Sequence, residues 1–105
     1  MNFSSYILDL KDWSSLEEIR YHLDLLDREI VSLLAKRGEY VSHAAKFKKN
    51  IRNLEDKNRI NEIITKVSKY ANEINFDPSI ISRIYEFMIR IYVEYEKQSF
   101  RERPN

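Results

Sequence analysis

Apolar residues recur at intervals of three and four positions through the first half of this chain. This spacing is typical of one face of an amphipathic α-helix. The residues of this face are Leu16, Ile19, Leu23, Leu26, Ile30 and Leu33. The segment from Ser14 to Lys48 contains no proline and one glycine, and both Ser14 and Ser15 have a glutamate three positions later. Because serine and glutamate at this spacing form a capping box, the pattern predicts a first helix from Ser14 to Lys48.

The same face turns basic towards the end of this predicted helix. Arg37 occupies a position where an apolar residue is expected, and Lys48 lies about 20° away from it around the helix. Val41 and Ala44 lie between them on that face. The pattern therefore predicts a groove with a small apolar floor and a cation at each end. Arg20 points about 100° away from Arg37, so it would reach such a groove only from a second chain.

Two further helices are predicted in the second half of the chain. The acidic pair Glu55–Asp56 suits the start of a second helix, which runs to the region Asn72–Asn75. Asp77 as an N-cap and Pro78 at the first helical position predict a third helix, which runs to about Phe100. Its predicted apolar side consists of Ile81, Ile84, Met88, Ile91 and Tyr95. The sequence has no strand pattern, so the expected fold class is all-α, with three helices per chain.

The predicted organisation is an N-terminal arm over residues 1–13, a helical domain over residues 14–100 and a solvated tail over residues 101–105. A first helix of about 34 residues is roughly 50 Å long, whereas a domain of this size has a radius of gyration of roughly 13 Å. The remaining residues are too few to cover the whole apolar face of such a helix. We therefore predict a helical homodimer, in which a second copy covers that face. The arm is too apolar to stay in water, and we expect it to dock on the body or on the partner chain.

Composition and charge argue against several classes of protein. A chain of 105 residues holds one modest core, and its net charge of +1 argues against nucleic-acid binding, which usually needs a strongly basic face. There is no cysteine, and His22 and His43 are the only histidines, so no metal site is expected. The start of the chain has no signal-peptide pattern, and no stretch has the ~20 apolar residues of a membrane helix. We expect a cytoplasmic protein without membrane contact.

Four cations are the main candidates for a binding site: Arg20, Arg37, Lys48 and Arg59. If they converge on a half-buried site, an anion must offset their mutual repulsion and desolvation. The expected ligand is then a small molecule with two carboxylates or phosphates, held by forked arginine contacts. Alternatively, these cations are solvated or paired with nearby acids. The acids available for pairing are Asp24, Asp27, Glu29 and Glu39. Periodicity alone leaves both interpretations open.

A longer motif favours the anion site. The string LEEIRYHLDLLDREIVSLLAKRGEYVSHAAKFK resembles the first helix of the all-helical, type II chorismate mutase family. The shared pattern is an arginine, a Leu-Asp-x-Leu-Asp motif, a Leu-Leu-Ala-x-Arg core and a closing lysine, and the resemblance covers about residues 15–100. It implies an intertwined helical homodimer in which each active site takes a residue from the other chain. It also implies rearrangement of chorismate to prephenate in aromatic amino acid biosynthesis, without cofactor, metal or covalent intermediate.

The resemblance also implies roles for individual cations and for one acid. Arg37, Lys48 and Arg59 are similar in position to the substrate-binding cations that the family places in one chain. Arg20 is similar to the cation supplied by the partner chain. Asp56 falls where the mutases place an acid near the substrate hydroxyl.

Glu96 falls where many members of the family have a glutamine that contacts the ether oxygen of the substrate together with the lysine. A glutamate can donate a hydrogen bond there only when it is protonated. Burial would raise the pKa of Glu96 and nearby cations would lower it, so we expect activity to fall as the pH rises through that pKa. The expected catalytic residues are Lys48, Glu96 and Arg59, and Tyr92 is a further substrate-binding candidate.

Ile60 departs from the family pattern. Many mutases carry a glutamate at this position, directly after the second-helix arginine, and it holds the C4 hydroxyl of chorismate. An apolar residue is found there in the isochorismate-pyruvate lyase branch, which forms salicylate and pyruvate, and the strings YVSHAAKFK and RIYVEYE are most similar to that branch. Against the lyase, this chain has Glu96 where the lyase has glutamine. Ile60 is also compatible with core packing alone.

A mutase is the preferred interpretation of the sequence, with the lyase as the first alternative. A mutase acting on the 4-amino analogue of chorismate and a non-catalytic or partner-dependent helical dimer are further alternatives.

Overall fold

The computed structural model describes residues 15–50 and 55–102 and contains three α-helices. They are α1 (Leu16–Ala45), α2 (Lys57–Glu73) and α3 (Pro78–Glu102). No strand occurs among the described residues, so the predicted all-α class is confirmed. The N-terminal arm predicted over residues 1–13 lies outside the described residues, as do residues 103–105 of the predicted tail.

The ends of α1 follow from local hydrogen bonding. At its start, the Glu18 backbone N–H donates to the Ser15 hydroxyl at 3.1 Å, which is the serine half of the predicted capping box. The helix ends at Ala45, three residues before the predicted end. Its last carbonyls accept tighter bonds from residues three positions later, and the final one runs from the Lys48 N–H to the Ala45 carbonyl at 3.2 Å. Lys48 therefore follows the helix instead of belonging to it.

Side chains and backbone geometry also fix the boundary between α2 and α3. Asn75, with φ of 60°, adopts the left-handed conformation that often ends a helix. The Phe76 N–H then donates to the Ala71 carbonyl at 2.9 Å, completing a Schellman motif. Asp77 caps the start of α3, because its carboxylate accepts hydrogen bonds from both the backbone N–H and the hydroxyl of Ser79 at 2.9 Å. The predicted helix start at Pro78 is confirmed.

The structure divides into two compact units, and the division falls within α1, between Lys36 and Arg37. In the first unit, α1 carries an apolar stripe that is between 43% and 59% exposed in the single chain. This stripe consists of Leu16, Leu23, Ile30 and Leu33. In the second unit, α2 and α3 pack against each other and bury Ala71 and Ile89. None of the described helices has a stretch long and apolar enough to span a bilayer.

The predicted apolar side of α3 is partly wrong for the single chain. Ile84, Ile91 and Tyr95 are exposed, whereas Ile89 and Glu96 are buried. The reason is that α3 carries large apolar side chains around most of its circumference, so intervals of three and four can be traced along more than one face. The period predicts a helix correctly but does not select the face that packs inward.

Candidate active site

The second unit contains a cavity of about 350 Å³, within the size range of small-molecule sites. Seven of the eight residues that the sequence analysis assigned to a site line this cavity. They are Arg37, Lys48, Asp56, Arg59, Ile60, Tyr92 and Glu96. The eighth, Arg20, belongs to the first unit and is exposed. One cavity thus brings together residues from α1, from the segment that follows it, from α2 with its cap and from α3.

The groove predicted on α1 is present in this cavity. Arg37, Val41 and Ala44 line the cavity from α1, and Lys48 lines it from the turn that follows the helix. The geometric argument for Lys48 assumed that α1 continues, which is wrong. The turn nevertheless keeps Lys48 at the same cavity as Arg37.

A buried acid lies next to Lys48. The Lys48 Nζ and Glu96 Oε2 atoms are 3.9 Å apart, and the two side chains are 28% and 9% exposed. Burial raises the pKa of the Glu96 carboxyl, and the charge of Lys48 opposes this by lowering it. The raising effect of burial prevails, so Glu96 binds its proton more tightly than an ordinary glutamate. The pair offers a cation beside an acid that can be protonated.

Tyr92 supports Arg37 from α3. The Arg37 guanidinium carbon lies 4.9 Å from the centroid of the Tyr92 ring, within the range of a cation–π interaction. Such a stack restricts the guanidinium while leaving its N–H groups at its edges, where a carboxylate would bind.

The third cation, Arg59, is held by a residue that the sequence analysis did not single out. Its Nη1 atom pairs with the Glu62 carboxylate, which also accepts from Lys66 Nζ at 3.2 Å. Hydrogen bonding and charge from Lys66, together with Arg59, lower the pKa of Glu62. Both the Arg59 and Glu62 side chains are exposed, so a ligand anion could exchange with Glu62 at little cost.

Asp56 has a structural role that the resemblance did not imply. It is the N-cap of α2, and its Oδ1 atom accepts a hydrogen bond from the Arg59 backbone N–H at 3.1 Å. The same side chain lines the cavity. One carboxylate therefore starts the helix that carries Arg59 and Ile60 and also faces the site.

Four further lining residues were missed as site residues by the sequence analysis. They are Tyr40, Ile63, Ile89 and Val93. Each lies three or four positions from a predicted site residue on the same helix, so helical spacing from those residues would have found them. They make the cavity wall largely apolar between the charged groups.

A second cavity, of about 400 Å³, lies between the end of α1 and the end of α3. Lys46 is the only cation among its lining residues, and Gln98 there donates to Glu102 at 3.2 Å. It therefore lacks the paired cations that a dicarboxylate requires. Within residues 15–50 and 55–102 there is no group of three or more side chains placed to hold a metal ion.

The chorismate mutase type II family model matches residues 19–97 of this chain. Over 92 residues the chain is 24% identical to a protein named isochorismate pyruvate lyase from Pseudomonas aeruginosa, with 88% of this chain and 91% of that protein covered. Over 91 residues it is 29% identical to a protein named chorismate mutase from Methanocaldococcus jannaschii, with 86% and 92% covered. The names of these two relatives give different reactions, whereas the family match spans most of the chain. This chain belongs to the chorismate mutase type II family.

Proposed function

We propose that this protein is a chorismate mutase, which rearranges chorismate to prephenate without a cofactor. The observation that carries this proposal is the largely apolar cavity lined by Arg37, Lys48 and Arg59. Glu96 is buried there beside Lys48. Chorismate is a small dicarboxylate, and its rearrangement needs no nucleophile and no external proton transfer. The groups present match that requirement.

The arginines would supply binding and orientation. The Arg37 guanidinium, stacked on Tyr92, would bind one carboxylate of the substrate. Arg59 would release Glu62 and bind the other carboxylate in its place. Holding both carboxylates folds the enolpyruvyl group over the ring, so that its methylene carbon approaches the ring carbon to which it becomes bonded. This near-attack geometry accounts for much of the rate that an enzyme of this kind needs.

Lys48 and Glu96 would stabilise the transition state. As the bond between the ring carbon and the ether oxygen breaks, negative charge grows on that oxygen. Lys48 would donate a hydrogen bond to this oxygen as a cation, and protonated Glu96 would donate a second hydrogen bond to it. The raised pKa of Glu96 supports this role, since an ionised carboxylate has no donor and would repel the oxygen.

We also propose that the active form is a homodimer and that Arg20 of the second copy completes each site. The exposed apolar stripe of the first unit supports this, because a second copy would cover it. Mixing the inactive variants Arg20→Ala and Arg37→Ala tests the shared site. Random exchange of chains would leave one intact site in each mixed dimer and restore roughly a quarter of the activity. A mixture that stays inactive after proven chain exchange would contradict a shared site.

Ile60 supports a second candidate, an isochorismate-pyruvate lyase that forms salicylate and pyruvate. It lines the cavity with an apolar side chain and cannot accept a hydrogen bond from the C4 hydroxyl of chorismate. The loss of that bond would cost about 1–3 kcal/mol unless Asp56 replaces it. A substrate with its hydroxyl elsewhere on the ring avoids the cost.

A paired product assay distinguishes the two reactions. Purified protein is incubated separately with chorismate and with isochorismate, and the products are identified by chromatography against enzyme-free controls. We expect prephenate from chorismate as the faster reaction. Faster formation of salicylate and pyruvate would instead establish the lyase, and turnover of neither substrate would contradict both proposals. The variant Ile60→Glu is a matched control, because it should favour chorismate over isochorismate if this position selects the ring isomer.

A further inference from the structure

Gly38 is the only glycine of the chain, and it is buried in the interior of α1. Glycine weakens a helix interior, because it loses more backbone freedom on folding than any other residue. Its φ angle does not lie in the left-handed region, so the backbone conformation does not require glycine here. The remaining reason for a glycine is space for a neighbouring group.

That neighbour is the Tyr92 ring. A Cβ atom added to Gly38 would lie 3.2 Å from Tyr92 Cε1, closer than ordinary van der Waals contact, and 3.6 Å from Tyr95 Cε2. The first distance requires the Tyr92 ring to move by a few tenths of an ångström. The second is an ordinary contact. Alanine at position 38 would therefore act mainly on Tyr92.

Movement of this ring would change the position of Arg37. The guanidinium of Arg37 lies over the same ring, and Arg37 precedes Gly38 on the same helix. The ring is thus held between the bare backbone at Gly38 and the cation that it supports. We propose that Gly38 is a positioning residue, which admits the Tyr92 ring so close to α1 that the ring orients Arg37 for a substrate carboxylate.

This inference rests on the proposed function, since it assigns Arg37 to a dicarboxylate substrate. It makes a specific kinetic prediction for Gly38→Ala. A shift of the guanidinium by a few tenths of an ångström should weaken its carboxylate contact to a similar extent in the ground state and in the transition state, while the substrate stays folded. Gly38→Ala should therefore raise KM more than it lowers kcat. We expect KM for chorismate, or for isochorismate if that is the faster substrate, to rise about tenfold, with kcat changed less than about threefold.

A double-mutant cycle separates this role from a general effect on the helix. In a Tyr92→Leu background the ring is absent, so Gly38→Ala should change KM less than about twofold. In a Tyr92→Phe background the ring remains, so the tenfold effect should persist. Glu39→Ala, the next residue on α1 and exposed, serves as a control that should leave KM unchanged.

Thermal unfolding of the same variants gives a readout that does not depend on activity. Alanine favours a helix, so Gly38→Ala should raise Tm in the Tyr92→Leu background but not in the wild type, where the Tyr92 contact opposes the gain. An unchanged KM in Gly38→Ala, or an equal effect with and without the Tyr92 ring, would overturn the inference. An inactive wild type that binds neither substrate would instead refute the proposed function, and the assignment of Gly38 would be refuted with it.

Discussion

The two parts of α1 make a direct comparison, because one continuous helix carries both. Up to Lys36 the apolar period is regular, and its large side chains are exposed in the single chain. From Arg37 onwards the period is interrupted by a cation and a glycine, and there the helix lines the cavity and contacts Tyr92. The regular upstream period would supply the surface that the proposed second copy covers. The proposed site residues of α1 other than Arg20 lie downstream, where the period breaks.

Arg37→Ala should give the largest loss of activity, and it tests the part of α1 from Arg37 onwards. Loss of a forked, charge-assisted carboxylate contact should lower kcat/KM about 100-fold, or about 3 kcal/mol. The helix and the assembly should remain intact, since Arg37 is not part of the upstream stripe. Steady-state kinetics and sedimentation of the same sample measure both properties.

The matched change in the upstream part is Leu23→Ser combined with Ile30→Ser. It should raise the dissociation constant of the proposed dimer at least about tenfold, because two apolar side chains of each chain are no longer buried in the interface. If Arg37→Ala also dissociated the dimer, or if the stripe variant assembled normally, the division of α1 into a packing part and a site part would be wrong.

Glu96→Gln tests a property that only the cavity of the second unit should have, namely dependence of activity on the protonation of Glu96. Burial raises the Glu96 pKa, and the proposed mechanism needs the protonated form, so wild-type activity should fall as the pH rises through that raised pKa. Glutamine donates at every pH, so the variant should have a flat profile between about pH 4 and pH 8.

The free energy of unfolding should also fall as the pH rises through the Glu96 pKa. The folded protein binds the Glu96 proton more tightly than the unfolded chain, so this contribution to the free energy of unfolding is present at low pH and is lost as the pH rises through the folded pKa. Urea unfolding of the wild type and of Glu96→Gln at several pH values measures it. A wild type whose activity and stability are both flat over this range would show that Glu96 does not titrate as proposed.

The two N-caps give the smallest expected effect and sharpen the comparison between the units. Ser15→Ala and Asp56→Ala should each lower the free energy of unfolding by about 1 kcal/mol, since each removes a capping hydrogen bond. Only Asp56 lines the cavity, so only its loss should also lower activity. Asp56→Asn keeps the cap but removes the charge. Full activity of Asp56→Asn would show that the charge of Asp56 is not needed, because the asparagine oxygen can still accept a hydrogen bond.

The sequence predicted most of this fold because its signals are local. Asp77-Pro78 and the Asp56 cap place the helix starts correctly, since a cap needs only residues a few positions apart. Likewise, the spacing of Arg37, Val41 and Ala44 predicted a common face, and the structure places all three at one cavity.

Two features that the sequence did not predict depend on contacts between distant residues. Gly38 gives no signal until Tyr92 is known to lie against it, more than fifty positions away along the chain. The inward face of α3 depends on its packing against α2. The pairing of Glu62 with Arg59 is local, yet it was missed because many helix-surface acids have several cations in reach.

The burial of Glu96 also has a consequence for the heat of ligand binding. A dianionic ligand adds negative charge near Glu96 and should raise its pKa further. At a pH between the Glu96 pKa in the empty site and its pKa in the occupied site, ligand binding would take up a proton from the buffer. Product release would return that proton. The measured binding enthalpy would then vary with the ionisation enthalpy of the buffer, and its slope would count the protons that Glu96 takes up.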